Sequence, residues 1–123
     1  MPVMVDMQRL GDVTALARIA ADYPYPVILG DVSTPMLTEA IAVLRARPNF
    51  YLETHALLLP DALPLLRDTV GVERLLFGSN APGMSLGAAL RAVTNSALTE
   101  GEKEAVLSGN ARRLWPNLTV GVH

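Results

Sequence analysis

The sequence predicts an α/β fold with one parallel β-sheet, and three observations support this prediction. Four short apolar segments recur at intervals of about 25 residues, a spacing typical of successive βα units. Amphipathic helical patterns lie between these segments. Half of the 123 residues are hydrophobic and the mean hydropathy is +0.31, as expected for strands that are covered on both faces. We therefore expect four parallel βα units with right-handed crossovers, followed by a C-terminal helix.

The four apolar segments are too short for helices. They are rich in Val, Ile, Leu or aromatic residues, which favours strands. The expected strands are Pro2–Asp6, Pro26–Asp31, Asn49–Thr54 and Arg74–Asn80.

Five helices are expected between and after the strands, from their caps and their apolar faces. In the last helix we expect Leu107, Ala111 and Leu114 to face inward. The expected starts are Asp12 as an N-cap, Thr34 as a cap with Pro35 at the first helical position, Pro60-Asp61, Leu86, and a capping box from Thr99 to Glu102.

Charge and composition exclude several functional classes. The net charge is −2, and nine of the ten basic residues are scattered arginines, so the sequence has no basic patch for nucleic acid or anionic membranes. The chain has no cysteine, which excludes thiolate chemistry and disulfides. No apolar segment approaches about 18 residues. We therefore expect a cytoplasmic protein without a membrane or nucleic-acid partner.

Polar residues lie at or just beyond the carboxyl end of each predicted strand, where parallel α/β folds place their sites. Any one of them, taken alone, is more simply a loop residue that accepts backbone hydrogen bonds. Their recurrence at four strand ends instead indicates a site. These residues are Asp6, Asp31, Glu53, His55, Ser79 and Asn80.

Three segments give the chain a family resemblance: RPNFYLET, GVERLLFGSNAP and LTEGEKEAVLSGNARRLW. In this order they resemble the C-terminal half of the amidohydrolase superfamily, in particular amidohydrolase family 2, and the resemblance extends from Pro2 to Leu118. It implies half of a (β/α)₈ barrel, equivalent to strands five to eight, in a single domain of residues 1–123. It also implies metal-dependent hydrolysis, or related C–C bond cleavage, of a small-molecule substrate.

The resemblance implies a metal site that is substituted and incomplete. Asp6 and Asp31 stand where the family has histidine ligands on the fifth and sixth strands, and Asn80 replaces the catalytic Asp of the eighth. The His-x-His pair of the first strand has no counterpart. Asp6 and Asp31 are candidate ligands for Zn²⁺, Mn²⁺ or Mg²⁺, although the acids could instead bond loop amides or pair with Arg9 or Arg74. Asn80 occupies a catalytic position but cannot act as a general base.

Glu53 and His55 are the remaining candidates for acid–base chemistry. They are two residues apart, so they share a face if the strand continues that far, and a Glu–His pair could orient an imidazole. His55 could equally lie in the following loop with a structural role.

Half a barrel also raises the question of what completes the sheet. Open edges near Met4 and near Leu76 would invite pairing with another strand. The chain could be part of a longer protein, could self-associate, or could associate with a separate N-terminal half. Two functions follow: an enzyme with a substituted metal site, or a non-catalytic structural or binding subunit that keeps the fold.

Overall fold

The computed structural model describes residues 1–57, 59, 61–78 and 85–116, and it has the expected α/β architecture. Four parallel strands form one sheet in the order β1-β2-β3-β4. The prediction of four βα units is confirmed, and the single C-terminal helix that was predicted is a helical segment over residues 100–114 with a π turn in it. The strands are β1 Val3–Asp6, β2 Val27–Gly30, β3 Phe50–Glu53 and β4 Leu75–Leu76, and the helices are α1 Asp12–Ile19, α2 Leu37–Ala46, α3 Ala62–Thr69, α4 Leu86–Thr94, α5 Glu100–Glu104 and α6 Asn110–Leu114.

The two faces of the sheet have different roles, because successive side chains of a strand point to opposite sides. One face packs under the helices in the hydrophobic core, which includes Val27, Leu29, Phe50, Leu52 and Leu75. We call the opposite side the inner face; it carries Met4, Asp6, Ile28, Glu53 and Leu76.

None of the helices in the described residues is long and apolar enough to span a membrane.

The predicted start of α1 is wrong in its capping residue. Gly11, with φ of 93°, is the N-cap, and Asp12 lies inside the helix. The carboxylate of Asp12 accepts hydrogen bonds from the preceding amides of Gln8 and Arg9. Glu39 of α2 instead accepts from the amides of Gly11 and Thr14, at 3.1 and 3.3 Å. The cap therefore comes from a neighbouring helix, which local sequence does not reveal.

The predicted start of α2 also differs from the structure. Ser33 is the N-cap of a short 3₁₀ turn over Thr34–Met36, and the α-helix begins at Leu37. The capping box of Thr99 and Glu102 at the start of α5 is confirmed.

A π-helical segment, Ala105–Gly109, joins α5 to α6 and changes which residues face inward. The extra residue in a π turn rotates the helix face relative to a continuous α-helix. Val106 and Asn110 are buried, whereas Leu107, Ala111 and Leu114 are only half-buried. Leu107 packs against the core, as predicted, but the fully buried positions of this segment are Val106 and Asn110, which the prediction did not name.

The two edges of the sheet are not equivalent. Val3, Met4 and Val5 on β1 are 38, 59 and 37% exposed. By contrast, Leu75 and Leu76 on β4 are buried, and the C-terminal helical segment bonds to their strand. An open edge near Met4 fits the expectation, but the expectation of an open edge near Leu76 was wrong along Leu75–Phe77.

Candidate functional site

The centre of the candidate site is an imidazole held between two carboxylates. His55 lies in the turn after β3, and its Nδ1 contacts the carboxylate of Glu53 at the end of that strand. Its Nε2 lies 3.1 Å from Asp31 Oδ1, beyond the end of β2. The backbone amide of His55 also donates to Glu53 Oε1 at 2.8 Å. The structure thus brings together three of the residues singled out in the sequence.

Burial makes this contact strong. The side chains of His55 and Glu53 are 7 and 9% exposed, whereas that of Asp31 is 54% exposed. Desolvation lowers the pKa of His55, but the hydrogen bonds and charges of Glu53 and then Asp31 outweigh it, so the pKa lies above its ordinary value of 6.5. Both ring nitrogens can donate only in the imidazolium form, so the geometry fits a protonated ring.

Asp31 reaches His55 from an unusual backbone conformation. Its φ of 56° lies in the left-handed region, which aspartate visits more readily than most residues. Such conformations cost free energy and tend to persist at functional sites. The strand ends at Gly30, so Asp31 belongs to the following loop rather than to the strand.

Two glycines, Gly30 at the end of β2 and Gly78 just after β4, make room for the inner-face carboxylates. A Cβ on Gly78 would overlap the carboxylate of Glu53, and a Cβ on Gly30 would overlap Oδ1 of Asp6. Each acid therefore lies against a backbone that has no side chain on that face. Neither glycine was predicted to be part of the site, although a glycine near a strand end can indicate that another group approaches the backbone closely.

We expect Gly78→Ala to displace Glu53 and to weaken its contact with His55. The overlap should lower the free energy of unfolding by about 1 to 2 kcal/mol. Urea denaturation measures this loss, and Gly101→Ala is the matched control because an added Cβ meets nothing within 4 Å there. Equal stability of the two variants would contradict the role given to Gly78.

A cavity of about 290 Å³ opens beside this cluster on the inner face of the sheet. Asp6, Glu53 and His55 are its polar lining residues, and Ala111 and Trp115 line it from the C-terminal helical segment. Among the described residues, Asp6 makes no hydrogen bond or ion pair, and Asp31 does not line the cavity. Ser79 and Asn80 lie outside the described residues.

The described residues do not assemble a metal centre. No group of three or more His, Asp or Glu side chains among them is placed to hold a metal ion. Glu53 and Asp31 both contact His55, whereas the carboxylate of Asp6 has no recorded partner within the described part of the chain. The sequence suggested Arg9 and Arg74 as partners of the acids, but Arg9 pairs with Asp12 and Arg74 bonds backbone carbonyls. Asp6 and Asp31 as metal ligands stay a prediction.

Comparison with known proteins decides the family. The family model described as amidohydrolase matches residues 2–116, nearly the whole chain. The chain belongs to the amidohydrolase family. Among curated proteins, none matches this amidohydrolase chain.

Solved structures share the fold at low sequence identity. A dihydroxybenzoic acid decarboxylase from Polaromonas sp. JS666, with bound manganese and 2-nitroresorcinol, matches with a TM-score of 0.65 and 20% identity over 80% of this chain. A 5-carboxyvanillate decarboxylase from Sphingomonas paucimobilis (TM-score 0.65, 18% identity) aligns with 85% of this chain. A 2,6-dihydroxybenzoate decarboxylase in complex with 2,6-dihydroxybenzoate (TM-score 0.65, 17% identity) aligns with 94%.

The amidohydrolase chain spans only part of these structures. It covers 36, 38 and 51% of their respective lengths. Together with the four-stranded parallel sheet, this coverage fits a partial (β/α)₈ barrel.

Proposed function

We propose that this amidohydrolase-type half-barrel carries an acid–base site in which His55 is the proton donor. The observation that supports the proposal is the placement of both imidazole nitrogens on carboxylates beside a cavity. The reaction class would be that of the family, hydrolysis or related C–C bond cleavage, at a substituted and incomplete metal site.

The contacts of His55 favour proton donation over metal binding. An imidazole coordinates a metal through an unprotonated nitrogen, and here both nitrogens face carboxylate oxygens. A raised pKa keeps the ring protonated closer to neutral pH, which suits a general acid. In hydrolysis a water molecule would add to the acyl carbon, and the ring would release its Nε2 proton from the contact with exposed Asp31 to the leaving group as the bond to that carbon breaks. The proton lost by the water would then restore the imidazolium. Asn80, in the position of the family's catalytic Asp, cannot take over this task.

The charge of the site favours an uncharged substrate. Glu53 and Asp31 contact the imidazole, and Asp6 lines the cavity beside it, so three acidic side chains stand near one basic ring. The net charge of the site is therefore negative, and the site would repel a carboxylate on the substrate. Esters, amides or lactones fit this cavity better than the carboxylated aromatics named for the neighbouring structures.

A divalent cation would change this balance. A structural neighbour holds manganese, and Asp6 is the described carboxylate that could contribute to a Zn²⁺, Mn²⁺ or Mg²⁺ site. Further ligands would have to come from outside the described residues, so we assign no step of the reaction to a metal. A cytoplasmic location and a small-molecule substrate remain predictions from the sequence.

The experiment is an activity screen with an uncharged aryl ester, an aryl amide, an aromatic lactone and 2,6-dihydroxybenzoate. Each is tested with the wild type, His55→Gln and Glu53→Gln, in Mn²⁺ and in a chelator. We expect turnover of an uncharged substrate that falls at least about 100-fold in His55→Gln, the scale of a lost general acid. Turnover that survives His55→Gln would contradict the assignment.

One observation favours a second candidate, a non-catalytic structural or binding subunit. The described residues hold no group of three potential metal ligands. In that case His55, Glu53 and Asp31 would serve only to tie β3 to the loop after β2. Absence of turnover with every substrate, in both metal and chelator, would select this candidate over the enzyme.

A further inference from the structure

The C-terminal helical segment is fixed beside the cavity by hydrogen bonds to β4 and to the turn before it. The Phe77 amide donates to the Val106 carbonyl at 3.0 Å. Asn110 Nδ2 donates to the carbonyls of Val72 and Leu75 at 2.7 and 2.8 Å. Because Asn110 is only 1% exposed, water does not compete for these bonds. Residues of this chain therefore determine where the segment lies relative to the sheet.

A π turn sets which face of the segment meets the cavity. The Asn110 amide donates to the carbonyl of Ala105, which lies five residues earlier instead of the four of an α-helix. The extra residue turns every later position by about 100° around the helix axis. Ala111 and Trp115 are four residues apart, so they share one helix face, and both line the cavity. Their placement there follows from the π turn.

A role in the hydrophobic core does not account for Trp115. Among the described residues, those that pack against the core include Phe77 and Leu107 but not Trp115. Trp115 is half-buried and lines the cavity, so part of its surface is accessible to a ligand. Tryptophan carries a large apolar ring system, which usually contributes most where it contacts a partner.

The lining of the cavity combines three titratable residues with a larger apolar set. Asp6, Glu53 and His55 are the titratable ones. The apolar set has two aromatic members, Phe77 and Trp115, together with Met4, Ile28, Leu76 and Ala111. A volume of about 290 Å³ is at the lower limit for small-molecule sites, so it suits a single ring with a short substituent. A ligand that fills this cavity needs an apolar body and one polar group.

We propose that Trp115 is the specificity-determining residue of this cavity and that it selects an uncharged aryl group on the substrate. The inference rests on the proposed function and names the group that would be held beside His55. Aromatic pairs gain more free energy than their buried area alone provides, and an aliphatic ring of similar size lacks that gain. A carboxylate on the ring would be repelled by the acidic residues of the site.

The test compares the binding of benzamide, cyclohexanecarboxamide and benzoate to the purified chain. Trp115 is the only tryptophan, so its fluorescence reports directly on a ligand in the cavity. We expect a saturable fluorescence change with benzamide, with N-acetyltryptophanamide as the control for collisional quenching. Benzamide should bind about 3- to 10-fold more tightly than cyclohexanecarboxamide, the scale of one aromatic contact. Benzoate should bind more weakly than benzamide because of its charge.

Substitutions of Trp115 test whether this residue is the source of the preference. Trp115→Leu should bind the two amides equally, and Trp115→Phe should keep most of the preference for benzamide. Ligand-observed NMR measures the affinities of these variants, which lack the fluorophore. Tyr25→Leu is the matched control, because it removes an exposed aromatic ring that does not line the cavity, and it should keep the preference.

Binding to His55→Gln separates this inference from the proposed acid–base role. That variant should still prefer benzamide, because the preference comes from Trp115. A benzamide preference in a protein that turns over no substrate would support the role of Trp115 and remove only the proton donor. Equal affinity of the wild type for the two amides, no fluorescence change with benzamide, or an unchanged preference in Trp115→Leu would each overturn the inference.

Discussion

Glu53→Gln will lower the free energy of unfolding by about 2 to 4 kcal/mol near pH 6, the range for breaking one partner of a buried charged hydrogen bond. Glu53 and His55 are both buried, and the carboxylate accepts from the ring and from the His55 backbone amide. Glutamine keeps the size of the side chain but removes its charge. Chemical denaturation measures the loss, with exposed Glu104→Gln as the control.

The effect of Glu53→Gln depends on pH with a definite sign. The pKa of His55 is raised above 6.5 in the folded protein. Its contribution to stability is therefore fully present below the unfolded pKa and is lost as the pH rises through the folded pKa. Wild type and Glu53→Gln should differ most below about pH 6.5 and converge as the pH rises through the raised pKa of His55. A difference that grows with pH would contradict the assignment of a charged imidazole.

Arg74→Met will lower the free energy of unfolding by about 3 kcal/mol, because three part-buried carbonyls lose a charged donor at once. Arg74 Nε donates to the Phe50 carbonyl at 2.7 Å, and its Nη2 donates to the carbonyls of Leu44 and Arg47 at 2.7 and 2.6 Å. These bonds tie the start of β4 to β3 and to the end of α2. Burial lowers the pKa of Arg74, but the group remains charged at neutral pH.

Thermal and urea denaturation measure the effect of Arg74→Met. Exposed Arg91→Met is the matched control, since it removes the same groups from the surface of α4. Arg74→Lys should recover only part of the stability, because one ammonium cannot reproduce the planar geometry of the guanidinium. Equal stability of Arg74→Met and Arg91→Met would show that the three carbonyls do not depend on this donor.

Much of the fold could be predicted because its signals are local. Continuous apolar segments such as PVILGD in β2 and NFYLET in β3 indicate strands that are buried on both faces. The capping box at Thr99 depends on residues three apart, so its pattern is visible in the sequence. At the start of α1 the backbone amides bond to Glu39, which is distant in sequence. A prediction from local sequence therefore assigned Asp12 as the cap, and this was wrong.

The site could be predicted less completely, because its geometry depends on loops. Glu53 and His55 are neighbours in sequence, so their contact could be anticipated. The contact of Asp31 with His55 requires a left-handed residue after β2 and the relative placement of two loops. The covered edge of β4 likewise depends on the π turn before Asn110, and no pattern in the helix indicates it.

The central claim is that His55 is a carboxylate-held imidazolium, and its NMR titration tests this most directly. The chain has two histidines, so the spectrum of His55→Gln assigns the signals. We expect the pKa of His55 to lie above 6.5 in the wild type and to fall in Glu53→Gln. A wild-type pKa at or below 6.5, unchanged in Glu53→Gln, would contradict the claim and remove the proton donor from the proposed site.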